Sequence, residues 1–460
     1  MSALLPLLLL FAPFPALANT APSIDLTNNW AGIIALTLFV LSYLVVVFEE
    51  KLGMKKSKPV LLAGTAIWII LTIAYGSIGD THSAQQALKE TILEYAELLL
   101  FLLVAMTYIS AMQERNIFEA LRAYLVSKGF SYRQLFWITG LLAFFISPVA
   151  DNLTTALIMG AVILALGKDN STFIALGCIN VVVAANAGGA FTPFGDITTL
   201  MVWQKGMAHF EDFLLLFVPA AVNFLVPAAI MSLALPQGAP ESLASKASMR
   251  PGAKRIIALF ALTIATAVAL HQTLHLPPVI GMLLGLSYLQ FFSYYLNRVE
   301  QHGYHDAKPG QHNHTFDFFG HMAQAEWDTL LFFLGVILAV GGLGFAGYLA
   351  QLSGWLYGDL GATPANIAVG VISAVVDNIP VMYAVLNMQP DMSLGQWLLV
   401  TLTAGVGGSL LSVGSAAGVA LMGQAHGHYT FMSHLRWTPA IALGYIASIS
   451  VHFWINSAVF

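Results

Sequence analysis

The chain has 460 residues, 58% hydrophobic and 9% charged, and a mean hydropathy of +0.77. Soluble domains carry about 25% charged residues, so a soluble enzyme or a soluble domain on one anchor is excluded and an all-α polytopic membrane protein is expected. A single cysteine, Cys178, excludes a disulfide framework and a cysteine-built zinc site, and the net charge of −5 decides little, because topology depends on where Lys and Arg fall.

Residues 1–18 carry an apolar stretch ending Ala16-Leu17-Ala18, the pattern of a secretory signal peptide cleaved near Ala18. The stretch before it holds no Lys or Arg, so an uncleaved first helix is the alternative. Spans follow near 30–48, 59–79 and 93–112, the scaffold helices of a first half that runs over 25–235. Two short apolar arms, 134–149 and 151–167, are separated by Ser147-Pro148-Val149-Ala150-Asp151-Asn152 and read as a re-entrant hairpin with Asp-Asn at its tip. Residues 171–204 form a helix broken at Asn186 to Asp196, a Gly/Pro-rich stretch, and 213–235 close this half.

After a cytoplasmic linker, 236–255, the plan repeats over 256–458. Scaffold spans lie near 256–274, 277–297 and 328–352. A second hairpin covers 364–388 with Asp377-Asn378 at its tip, a broken helix covers 394–424, and a last span covers 437–456. Both tips read Ile-Ser-x-Val-x-Asp-Asn, from Ile146 and from Ile372. Gly188-Gly189 matches Gly407-Gly408, Gly195 matches Gly414, Asp196 matches Ser415, and Glu97 to Phe101 matches Asp328 to Phe332.

With the mature N-terminus outside, Lys51, Lys55, Lys56, Lys58, the Arg115–Arg133 segment, Lys168, the Lys246–Arg255 segment, Arg298, Lys308 and Arg436 fall on the cytoplasmic side, and only Lys89 and Lys205 outside. This obeys the positive-inside rule and gives the two halves opposite orientation, the arrangement that underlies alternating access.

A carboxylate in a membrane segment is a functional-site candidate by default. Hard monovalent cations favour oxygen ligands, as calcium and magnesium do. The repeats offer the carboxylates of Asp151, Asp377 and Asp196, the amide oxygens of Asn152, Asn186 and Asn378, and the hydroxyls of Ser147, Thr198, Thr199, Ser373, Ser412 and Ser415. A hard cation is expected at Asp151, Asp377 and Asp196, with Asp151 and Asp377 also carrying protons. A carboxylate that must lose its proton to bind a cation couples the two fluxes, and such a cluster titrates as a unit. A purely local capping role for each Asp-Asn pair is the competing reading, since both residues favour helix N-caps.

Glu97 and Asp328 are expected near the starts of equivalent helices, as structural caps or part of a proton path. His302, His305, His312, His314 and His321 crowd one loop. With His426, His428 and His434 they make one face rich in groups that titrate near neutrality, read as solvated loop, pH regulation or adventitious metal binding. His209 and His428 lie at matching distances after Asp196 and Ser415. The Gly-rich tracts lack the Gly-Lys-Ser/Thr of a phosphate loop.

At the paired tips and broken helices, most specifically Ser147 to Thr155, Asn186 to Thr199, Ser373 to Asn378 and Gly405 to Ser415, the chain resembles the NhaD family of bacterial sodium/proton antiporters. That family stands in a wider group with arsenite pumps and divalent-anion/sodium symporters. The resemblance implies a multi-pass protein of the bacterial inner membrane, a homodimer with a scaffold and a mobile transport domain, lipid as its surroundings, no nucleic acid partner and no cofactor beyond the transported Na+ or Li+ and H+, with sodium at Asp151, Asp377 and Asp196. An anion or arsenite transporter on the same scaffold is the alternative; the anion-carrying relatives hold neutral residues at the tips, where this chain has Asp. An intramembrane aspartyl protease, the enzymatic alternative, would carry Gly-x-Gly-Asp, whereas Asp196 follows Pro193-Phe194-Gly195.

Overall fold

The computed structural model describes residues 25–47, 52–167, 170–240, 248–303, 316–425 and 427–460. The expected signal peptide lies outside these residues, as do Lys51, Lys168, Lys246, Lys308, His305, His312, His314 and His426, and the side chain of His302. The fold is all-α, and the described residues contain no strand. Nine of their helices are long and apolar enough to cross a membrane.

The helices fall into two packed groups. The first contains α1 (Trp30–Val47), α2 (Ser57–Ser77), α3 (Ser83–Glu114) and a surface helix α4 (Ile117–Ser127). The second begins with α5 (Tyr132–Ala150), α6 (Asn152–Gly167), α7 (Ser171–Gly189), α8 (Ile197–Gln204) and α9 (Phe217–Ser232). The chain then returns to the first group with α10 (Ala253–Leu274), α11 (Pro278–Gly303), α12 (Phe318–Ala323), α13 (Trp327–Phe345) and α14 (Tyr348–Ser353). It completes the second with α15 (Ala362–Ser373), α16 (Asn378–Met388), α17 (Leu394–Gly407), α18 (Ala416–Gln424), α19 (Phe431–Leu435) and α20 (Thr438–Ile455).

Contacts between the two halves come in matched pairs. Helix α2 packs on α13 and α11 on α3; α18 packs on α6 and α8 on α16; α9 lies along α20. Each half therefore completes the other, as apolar helices with small residues at their contacts do.

Local chemistry explains the boundaries. Ser131 and Gln134 form a reciprocal capping box that starts α5 ahead of the expected 134. The first hairpin arm is consequently 19 residues and long enough to span, rather than the short arm expected. Asn170 caps α7 and Ser393 caps α17. The expected span 328–352 divides at Gly347, whose φ of 101° is left-handed and stops α13. Helix α3 reaches back to Ser83, so Glu97 sits in mid-helix and not near a start, whereas Asp328 does occupy the first turn of α13.

The breaks are held against the hairpins by backbone contact. Pro148 supplies no N–H, which leaves the Phe144 carbonyl unclaimed within α5. Gly188 packs against that carbonyl so closely that a Cβ would stand 2.2 Å from its oxygen. In the second half, a Cβ on Gly407 would stand 2.1 Å from Gly370 O, the equivalent position. Only glycine fits either place.

Candidate functional site

Four helix N-termini meet at the breaks, each capped by a residue of the repeated motifs. Asp151 caps α6: its carboxylate accepts from the Thr154 amide at 2.8 Å and from the Thr154 hydroxyl at 2.7 Å. Asp377 caps α16 through the Ile379 amide, Asp196 caps α8 through the Thr198 amide, and Ser415 caps α18 through the Gly418 amide. Capping is thus present at both tips.

The centre is Asp196, only 4% exposed. Its Oδ2 accepts from Asn152 Nδ2 at 2.9 Å and from Asn378 Nδ2 at 3.1 Å, one amide from each hairpin. Asn152 Nδ2 also reaches Asn186 Oδ1 at 3.0 Å. Asn186, fully buried, donates to Ser409 Oγ at 2.8 Å and to Ser415 Oγ at 3.0 Å on the second broken helix. A continuous polar network therefore joins both hairpins and both broken helices. Where the first half has Asn186, the second has Gly405. A Cβ there would lie 3.9 Å from Asp196 Oδ2, so the missing side chain keeps space beside the carboxylate.

Asp196 also lines a cavity of about 40 Å³, together with Asp151, Asn152, Asn378, Pro193 and Phe101 among others. It is of the size of one or two waters or a bare monovalent ion. Three buried hydroxyls, Thr155 Oγ1, Thr198 Oγ1 and Ser412 Oγ, make no hydrogen bond. A buried hydroxyl without a partner is costly, and none of the three is among the residues lining the cavity.

The sequence-derived site residues separate into three groups. Asp151, Asn152, Asp196, Asn378 and Asn186 come together around the network and its cavity. Ser147 and Ser373 do not present free hydroxyls: they donate to Ala185 O at 2.6 Å and Ala404 O at 2.7 Å, stitching each hairpin to its broken helix. Thr199 is likewise occupied, by Thr192 O and Asp196 O. Ser415 accepts from Asn186, and Thr198 and Ser412 keep open oxygens.

The expected sodium triad divides. Among the described residues no three carboxylate, His or Cys side chains converge as a metal cluster. Asp377 Oδ2 instead pairs with Lys56 Nζ at 3.1 Å. Sequence reasoning placed Lys56 with the cytoplasmic cations and missed this contact. The available signal was a lysine at the positive N-terminus of an apolar helix, where it needs a carboxylate partner.

Glu97 and Asp328 lie apart from this centre. Asp328 accepts a hydrogen bond from Ser57 Oγ. Glu97 borders a second cavity of about 90 Å³ with Glu94, Gln204, Lys205 and Tyr383. There Lys205 forms an ion pair with Glu94, which also accepts from the Tyr383 hydroxyl at 3.0 Å. Two histidines depart from the solvated-loop reading. His321 is buried between Ser110 at 2.9 Å and Glu114 at 2.8 Å. His434 is buried, with Nε2 on Ser409 O at 2.8 Å and Nδ1 on the Tyr429 hydroxyl at 2.7 Å, so it buttresses the network from behind. His209 is exposed, and His428, also exposed, contacts Ser171.

A family model described as a citrate transporter matches residues 43–405. The chain is 54% identical to the Na(+)/H(+) antiporter NhaD of Alkalimonas amylolytica, covering 99% of this chain and 97% of that protein. It is 56% identical to the Na(+)/H(+) antiporter NhaD of Halomonas elongata, covering 98% and 94%. Sodium/proton antiporter 1 of Arabidopsis thaliana is 31% identical, covering 92% of this chain and 72% of the plant protein.

Proposed function

We propose the mechanism of a protein whose family is established: the chain belongs to the NhaD family of sodium/proton antiporters. It exports sodium or lithium across the bacterial inner membrane in exchange for protons, by alternating access around the Asp196 network. The observation that carries this reading is the buried Asp196 carboxylate gripped by one amide from each hairpin. A carboxylate held by tips from different halves is repositioned by movement of either half.

With the site deprotonated, Asp196 and Asp151 present negative charge to the cavity, and the amide side chains of Asn152 and Asn378 line it beside them. Protonation removes that charge and releases the cation. One site alternating between the two ions enforces exchange. The family model's description as a citrate transporter is met by the same geometry with the opposite prediction: carboxylates lining the cavity repel a polyanion. The inverted orientation of the halves fits the gathering of Arg115 and Arg250, both assigned to the cytoplasmic face, around Glu114, while Lys205, assigned outside, pairs with Glu94. A homodimer, as the family resemblance implies, completes the proposed assembly.

The test is fluorescence dequenching in everted vesicles carrying an imposed proton gradient, with additions of sodium, lithium, potassium and citrate. Sodium and lithium dissipate the gradient and citrate does not; Asp196→Asn, at normal expression, gives no sodium response. Dissipation by citrate alone, or full sodium activity in Asp196→Asn, overturns the reading.

A further inference from the structure

Lys56 has no place in the exchange described so far, yet it touches one of the two tip carboxylates. Its ammonium lies 3.1 Å from Asp377 Oδ2 and 4.3 Å from the centroid of the Phe332 ring. Both side chains are largely shielded, at 17% and 14% exposure. The lysine stands immediately before α2, at the positive end of the helix dipole. Ser57 beside it holds Asp328. The helix start thus faces two carboxylates of the second half, Asp377 and Asp328.

The repeat supplies an internal control. Phe332 corresponds to Phe101 in the register that aligns Asp328 with Glu97. Phe101 lines the cavity beside Asp151, where among the described residues no cation pairs with the carboxylate. At the first tip, aromatic ring and carboxylate border open space. At the second, the equivalent ring and carboxylate hold an ammonium. In place of Lys56, the residue before α11, the counterpart of α2, is Pro277.

We propose that Lys56 is a tethered cation that occupies Asp377 when the site is empty of sodium, and that sodium binding at the Asp196 network displaces it. Asp377 sits one residue from Asn378, whose amide holds Asp196. Drawing a cation to the network pulls on this tip, and release of the lysine frees Asp377 to serve as an additional ligand. Lys56 is therefore a positioning residue that weakens sodium binding and speeds its release. This inference rests on the sodium-exchange reading above.

The experiment measures equilibrium sodium binding to purified full-length protein by calorimetry at fixed alkaline pH. Lys56→Gln removes the competitor and should bind sodium about tenfold more tightly, the order expected for losing a partly desolvated charge pair. Lys56→Arg retains the competitor and should stay near wild type. In parallel, wild-type protein is labelled with an amine-reactive reagent and Lys56 is followed by mass spectrometry. Sodium, but not choline, should raise Lys56 labelling several-fold by releasing it from Asp377. A merely structural lysine would give weaker sodium binding in Lys56→Gln and labelling indifferent to sodium, and either result overturns the proposal. Should Lys56→Gln fail to fold, the labelling arm decides alone. If wild type binds no sodium at all, the exchange reading fails as well, a result distinct from normal wild-type binding with an unaltered Lys56→Gln.

Discussion

The two hairpin tips share a sequence pattern and a capping role but hold their carboxylates differently. Asp151 adopts φ 59° and ψ 162°, a region natural to glycine, and costs on the order of 1–3 kcal/mol in backbone strain. Its carboxylate is turned onto its own helix through Thr154, and it borders the cavity. Asp377 adopts φ −44° and ψ 137°, with φ negative, and its carboxylate is paired with Lys56. The lesson is that backbone scaffolding is duplicated while charge is not. Matching serines and glycines build equal frames, and the residues on those frames diverge: Asn186 and Asp196 on one side, Gly405 and Ser415 on the other.

The largest effect that tests this division is on charge. Asp196→Asn and Asp151→Asn should each abolish sodium-dependent proton flux in everted vesicles at normal expression, because each removes a charge facing the cavity while keeping shape and capping. The reverse graft, adding a carboxylate by Ser415→Asp, should not rescue Asp196→Asn, since the amides of both hairpins converge on the first-half position. Rescue would erase the asymmetry.

The next effect falls equally on both halves. Gly188→Ala and Gly407→Ala each force a methyl against a backbone carbonyl and should cost at least about 1–3 kcal/mol of stability, read as a lowered melting temperature in detergent. A large loss in one half and none in the other would show that the frames are not equivalent.

A third test varies pH against sodium. Competition for one site makes exchange fall as pH drops, because the protonated site cannot take the cation. Raising sodium must then move the midpoint downward, by up to about one pH unit per tenfold sodium for one-for-one competition. Replacing His302, His305, His312, His314 and His321 together also removes the buried His321–Glu114 contact. The sharper control therefore spares His321, and it should leave the sodium-dependent midpoint in place. A midpoint indifferent to sodium would assign pH dependence to a separate sensor.

The smallest effect is expected at the serines. Ser147→Ala and Ser373→Ala each delete one hydrogen bond to a broken helix, worth about 1 kcal/mol, and should shift apparent sodium affinity by only a few-fold, alike in both halves. A tenfold or greater loss at either would make that serine a direct ligand.

How much was legible beforehand follows from what is local. Hydropathy runs set the spans, the recurring Ser-x-Val-x-Asp-Asn pattern located both tips, and Gly-Gly pairs marked the breaks, because each depends on residues close in the chain. The Asn152–Asp196–Asn378 convergence joins residues 44 and 182 positions apart, and no local rule pairs them. The buried roles of His321 and His434 escaped for the same reason: a histidine in a polar stretch looks solvated until a distant helix covers it. Lys56 was counted only by its side of the membrane, since the positive-inside rule sums charges without asking what each one touches. The sequence by itself determined a repeated membrane scaffold with acidic tips, through periodicity and composition. Only the tertiary structure decided which acid faces the cavity and which is held by a lysine 321 residues away, because that choice rests on electrostatic contacts between helices brought together by packing.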